Sequence, residues 1–90
     1  MSAVSREVLI TNKRGLHARA SAKFVNMASE LDAQIDVEKD GSRVCGTSIM
    51  GLMMLGAAMG DTITISATGL GAEAAVAQLA ALVEARFHEE

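Results

Sequence analysis

Val8 and Ile10 alternate with Glu7 and Thr11, and this period of two predicts a first strand. Leu9 interrupts the alternation, so the assignment leans also on β-branched content. Asn12 to Gly15 is turn chemistry. From Ala18 the period changes: Ala20, Phe24, Met27, Ala28 and Leu31 recur at three and four, which predicts an amphipathic helix. Ala33, Ile35 and Val37 then alternate with Gln34, Asp36 and Glu38 as a second strand. Asp40-Gly41 supplies the left-handed positions of a two-residue hairpin turn, and Val44 lies on the returning third strand. Thr47-Ser48 is a helix N-cap signal ahead of a short apolar helix from about Ile49 to Leu55, which Gly56 or Gly60 would stop. Ile63, Ile65 and Ala67 alternate with Thr62, Thr64 and Ser66 as the last strand. Beyond Gly69 and Gly71 the longest helix runs from Ala72 to Phe87, with Val76, Leu79, Ala80, Val83 and Phe87 on one face.

The predicted order is βαββαβα. Helices that fall between strands in this way pack on one face of a mainly antiparallel sheet. The expected class is therefore α+β: a two-layer, open-faced β-sandwich with three helices on one side. The polar alternates Gln34, Asp36, Glu38, Thr62 and Thr64 suit a second sheet face left to solvent. Ninety residues allow one core, so a single domain over 1–90 is expected. Half the residues are hydrophobic but only Phe24 and Phe87 are aromatic, so that core is built mostly from Ala, Val, Ile, Leu and Met.

Charge narrows the function classes. Eleven acids against eight Lys and Arg leave no basic stripe of the kind that nucleic acid binding needs. The early cations are nonetheless concentrated, with Lys13, Arg14, Arg19 and Lys23 around His17. A basic end on an acidic chain suits a phosphate site or an acidic protein partner. One cysteine, Cys45, cannot form an internal disulfide, and Met1 to Glu7 has no apolar signal core. The stretch from Gly46 to Gly60 is broken by glycines and too short to span a bilayer, so a cytoplasmic protein without membrane insertion is expected. Six methionines raise soft-metal binding, but such sites want paired thiolates, so neither metal nor cofactor is expected. No nucleotide-binding loop or nucleophile–base–acid trio is visible, which argues against an enzyme with its own turnover. His88, beside Glu89 and Glu90, reads as a solvated tail residue.

Gly15-Leu16-His17-Ala18-Arg19-Ala20 is the informative segment, because His17 falls where a loop becomes a helix. The first N–H groups of a helix lack partners within it and carry partial positive charge, an arrangement that binds anions. A phosphoryl group on the imidazole would find those donors and the guanidinium of Arg19. The plainer reading of a histidine beside a turn is an ordinary first-turn residue. A second feature is the run from Ser48 to Leu55. If Leu52 and Leu55 face the core, Ile49, Met50, Met53 and Met54 are left partly exposed as an adaptable docking surface. The alternative is a wholly buried helix. Ser48 is sufficient as a cap alone. A phosphate on it would place roughly −2 charge beside the apolar patch without unfolding the helix.

Together these residues resemble HPr, the histidine-containing phosphocarrier family of the bacterial phosphoenolpyruvate-dependent phosphotransferase system. Gly15-Leu16-His17-Ala18-Arg19 resembles the active-site motif, and Ser48-Ile49-Met50-Gly51-Leu52-Met53 the regulatory-serine motif, with nearly the whole chain covered. The resemblance implies phosphorylation of His17 on Nδ1 by enzyme I, assistance by Arg19, and onward transfer to enzyme II A domains. It further implies Ser48 as the serine modified by HPr kinase/phosphorylase, and Ala22 with Ile49, Met50, Met53 and Met54 as the docking surface. It implies an antiparallel sheet in the order 1-4-2-3 and a monomer. Ala20 stands where the family usually has proline, which leaves the helix intact and the loop freer. The motifs do not separate the sugar branch from the nitrogen-related paralogue, nor from a regulatory phosphoprotein that signals through binding.

Overall fold

The computed structural model describes residues 3–89; Met1, Ser2 and Glu90, the ends of the expected 1–90 domain, lie outside the described residues. The elements are β1 (Val4–Leu9), α1 (Ala18–Ser29), β2 (Gln34–Lys39), β3 (Ser42–Cys45), α2 (Ile49–Met54), β4 (Thr62–Thr68) and α3 (Ala72–Glu84), followed by a short turn over Arg86–His88. The strands form one antiparallel sheet in the order β1-β4-β2-β3, as expected.

Register puts one apolar set on the covered face. Val8 lies opposite Ile63, Ile35 opposite Ala67, and Val37 opposite Ile65, and all six are buried. α3 packs against β1 and β4, and α1 packs against α2 and α3. Phe24 from α1 and Phe87 beyond α3 are fully buried, so the two aromatics anchor an otherwise aliphatic core. Asp40 (φ 51°) and Gly41 (φ 85°) take the two left-handed positions of the β2–β3 hairpin. Among the described residues no helix is long and apolar enough to cross a membrane.

Several element boundaries differ from those expected, chiefly in β1, α1 and α3, while α2 ends at Met54, one residue before Leu55. The first strand begins at Val4 rather than Glu7 and ends at Leu9, because its ladder with β4 runs out at the Leu9–Thr62 pair. Leu9 disturbed the alternation because it faces solvent; Ile10 stays fully buried past the strand and exchanges backbone hydrogen bonds with Asp61 and Gly60. α1 stops at Ser29, so Leu31 packs on the core from beyond the helix. α3 stops at Glu84, not Phe87. Arg86, Phe87 and His88 are all left-handed, with φ of 57°, 56° and 59°. Non-glycine residues there cost about 1–2 kcal/mol each. Burial of Phe87 and a 2.7 Å hydrogen bond from Lys23 Nζ to the Phe87 carbonyl offset that cost.

Candidate functional site

The loop before α1 is held from below by its own backbone. Gly15 adopts φ +62° and passes so close to the Ala57–Ala58 segment that a Cβ there would lie 2.2 Å from the Ala57 carbonyl oxygen. The Leu16 N–H donates to that same carbonyl at 2.9 Å. Asn12 closes the loop by donating from Nδ2 to the Gly15 carbonyl at 2.8 Å. These contacts deliver His17 as the N-cap of α1, with extended backbone. The imidazole Nδ1 accepts from the Arg19 N–H at 3.3 Å, so it replaces the serine or aspartate oxygen usual at a cap. The His17 carbonyl accepts the Ser21 N–H, and the buried Ser21 hydroxyl donates to the Leu16 carbonyl.

His17 sits in an open cavity of about 340 Å³ walled by Lys13, Arg14, Arg19, Lys23, His88 and Glu89. The expected ring of cations is present. The bond to His17 comes from the Arg19 backbone, however, and Arg19 is an exposed residue of the cavity wall. Ala20 is fully buried in the first turn. It keeps a backbone N–H that the family's proline would lack, among the group that a helix leaves without internal partners.

Of His88 and Glu89, the first is left to solvent as expected and the second is not. His88 is exposed, but Glu89 folds back onto the site: Oε2 meets His17 Nε2 and Oε1 accepts from Asn12 Nδ2 at 3.2 Å. Desolvation pushes the Glu89 carboxyl up, but hydrogen bonds from His17 and Asn12, with the charges of His17 and Lys23, outweigh it and hold it below its usual value. A carboxyl so held contributes stability above its unfolded value of about 4.3 and loses it as pH falls through the lower folded value. The turn is therefore expected to stay docked at neutral pH and to loosen in acid below the ordinary carboxylate range. NMR shifts of the Asn12 side-chain amide should report that release, and Glu89→Gln should abolish its acid dependence. Asn12 and Glu89 were not among the expected site residues. Asn12 was legible only as turn chemistry, and nothing local in the sequence marks Glu89.

Ser48 caps α2, its Oγ accepting from the Gly51 N–H at 2.9 Å. Leu52 and Leu55 are buried, while Met50 is 71% and Met54 78% exposed, with Ile49 and Met53 also exposed. The wholly buried reading of this helix is thereby overturned. A cluster of exposed large apolar residues on one short helix has the character of an interaction site. Ala22 is half-buried on α1, which packs against α2. Ser48→Ala should cost about 1 kcal/mol of stability through the lost cap. Ser48→Asp restores an acceptor and should recover most of it, which denaturant unfolding of the two variants would show.

The family model described as the PTS HPr component phosphorylation site matches residues 4–85. The chain belongs to the HPr family. HPr proteins are phosphocarriers of the phosphotransferase system, and that is the function of this chain. Its HPr-like sequence is 44% identical over 89 residues to phosphocarrier protein NPr of Shewanella violacea, covering 99% of this chain and 98% of that one. It is 42% identical over 86 residues to phosphocarrier protein HPr of Cupriavidus necator, covering 96% and 97%. The HPr fold is shared with the crystal structure of HPr-C-His from Thermoanaerobacter tengcongensis at a TM-score of 0.87 and 47% identity, over 100% of this chain and 99% of that one.

Proposed function

We propose that His17 takes a phosphoryl group on Nδ1 from enzyme I and hands it to the A domain of an enzyme II. The observation that carries this reading is the direction of Nδ1, turned toward the N-terminus of α1 within a cavity walled by Lys13, Arg14, Arg19 and Lys23. An anion at a helix N-terminus gains about 0.3–1 kcal/mol, up to roughly 2 when partly buried. Each charged hydrogen bond adds on the order of 1.5–3 kcal/mol. That holds a phosphoryl group without trapping it, as a carrier requires. Arg19 neutralises charge from the cavity wall. Phosphoryl transfer is mainly positioning and charge neutralisation, so a carrier leaves most of the catalysis to its partners and needs no turnover of its own.

Ala22, Ile49, Met50, Met53 and Met54 form the docking surface for these partners. Ser48 is the regulatory site, open to HPr kinase/phosphorylase. A phosphate there stays compatible with the end of α2 but sets charge beside the patch, weakening docking rather than folding. The working unit in this reading is a cytoplasmic monomer of one domain over 1–90. Purified enzyme I with phosphoenolpyruvate is expected to add one acid-labile phosphate, and an enzyme II A domain to remove it. No labelling at all would overturn the reading.

The identity to NPr gives weight to a second reading, a nitrogen-related paralogue that signals through protein binding. Labelled protein that discharges to a nitrogen-branch A domain and to no sugar A domain would establish it.

A further inference from the structure

Among the described residues, Glu89 is the one acid in the wall of the His17 cavity. Two roles for such a carboxylate oppose each other. A loose anion beside an incoming phosphoryl dianion would repel it and slow transfer. An anion fixed behind the ring would instead set which nitrogen reacts.

The geometry decides between them. An ionised carboxylate only accepts hydrogen bonds. Its contact with Nε2 therefore requires the proton to sit on Nε2. In the neutral ring the lone pair is then on Nδ1. Independently, Nδ1 accepts from the Arg19 N–H, which requires the same tautomer. The carboxylate is itself held on its other oxygen by Asn12, a fully buried side chain anchored to the Gly15 carbonyl. Glu89 and His17 are mostly covered, with side chains 17% and 13% exposed, so solvent competes little for the contact. The three left-handed residues Arg86, Phe87 and His88, fastened by Lys23 and by burial of Phe87, bring Glu89 back to this place.

We propose that Glu89 is a positioning residue for phosphoryl transfer at His17, presenting Nδ1 as the nucleophile and facing the charge that the ring acquires. This rests on the reading of His17 as the phosphoryl acceptor. In the transfer, the Nδ1 lone pair forms the bond to phosphorus. The bond from phosphorus to the donor protein breaks, and its electron pair leaves with the donor. No proton moves from Nε2, so the ring becomes positive and Glu89 stands opposite that charge. On handover the P–N electron pair returns to Nδ1 and the ring is neutral again. The arrangement is that of the outer carboxylates that fix the tautomer of metal-bound and catalytic histidines.

The tautomer can be read without any phosphoryl donor. Long-range 1H–15N spectra of the unphosphorylated protein, taken where the ring is neutral, should show Nε2 pyrrole-like and Nδ1 pyridine-like. In Glu89→Ala the two nitrogens should move toward averaged values. With enzyme I as donor, kcat should fall about tenfold, the scale seen when the outer partner of a histidine is removed. KM should stay the same, because the docking face on α2 is untouched. Lys23→Met, which frees the Phe87 carbonyl, should shift the spectrum in the same direction. A wild-type ring protonated on Nδ1, a Glu89→Ala spectrum without change, or an unchanged or raised kcat in that variant would each overturn the proposal. Phosphate found on a residue other than His17 would instead defeat the underlying functional reading and leave the tautomer result standing.

Discussion

His17→Ala is expected to take up no phosphate from enzyme I. Among the described residues the cavity holds only one other imidazole, His88, which is exposed and left-handed. Among the described residues, only the His17 ring presents a nitrogen to the first N–H groups of α1. Loss of the nucleophile should therefore abolish labelling rather than reduce it. The substitution also removes the cap of α1, at about 0.5–2 kcal/mol. With a shift of about 4–8 °C per kcal/mol for a domain of this size, the variant is expected to melt lower but remain folded at room temperature. His17→Asn keeps a capping oxygen and should recover most of the melting temperature with none of the labelling. Intact-mass analysis and thermal unfolding of the two variants separate chemistry from capping. Phosphate that appears on His88 in either variant would show that the cavity, and not the His17 geometry, selects the acceptor.

Gly15→Ala should be the most damaging small substitution in the loop. Two costs add. Its φ of +62° disfavours any side chain, by about 1–2 kcal/mol. The new Cβ would also lie 2.2 Å from the Ala57 carbonyl oxygen and 2.8 Å from the Ala58 Cα. Both obstacles are backbone, so the loops must separate and the Leu16 hydrogen bond to Ala57 must stretch or break. A total of about 3–5 kcal/mol is expected, a large share of the roughly 5–15 kcal/mol that holds a domain folded. Gly56→Ala is the matched control. Gly56 has nearly the same φ, +65°, with nothing within 4 Å of its Cβ position, so only the conformational cost remains. Denaturant unfolding should place the two variants about 2–3 kcal/mol apart, a gap that reports the close approach alone. Equal losses would mean that the approach contributes nothing. Because Gly15 supports the turn that delivers His17, its variant should also transfer phosphate poorly even where it remains folded.

The legible parts of this protein are those set by local periodicity. Alternation along Ile35, Val37, Ile63, Ile65 and Ala67 marks which strand face is covered, since successive side chains point to opposite sides. Asp40-Gly41 marks the hairpin because few other pairs accept two left-handed positions. Ser48 was readable as a cap, and the apolar excess on α2 as a surplus that one buried stripe could not absorb. His17 was readable as the residue where a loop becomes a helix, with Arg19 two residues on.

Tertiary structure decided the rest. Whether Met50 and Met54 are covered depends on what packs above α2, which no local pattern states. The end of β1 depends on where its partner β4 begins. Above all, the sequence ends in a helical pattern through Phe87, and periodicity cannot foresee a left-handed reversal after Glu84. That reversal is held by contacts far away in the chain, from Lys23 to Phe87 and from Asn12 and His17 to Glu89. The sequence by itself determined the sheet, the helices and the histidine at a helix start, because short-range sterics and burial patterns dictate them. The partner of that histidine was decided by folding alone, because a carboxylate 72 residues away acquires a role only when the chain brings it there.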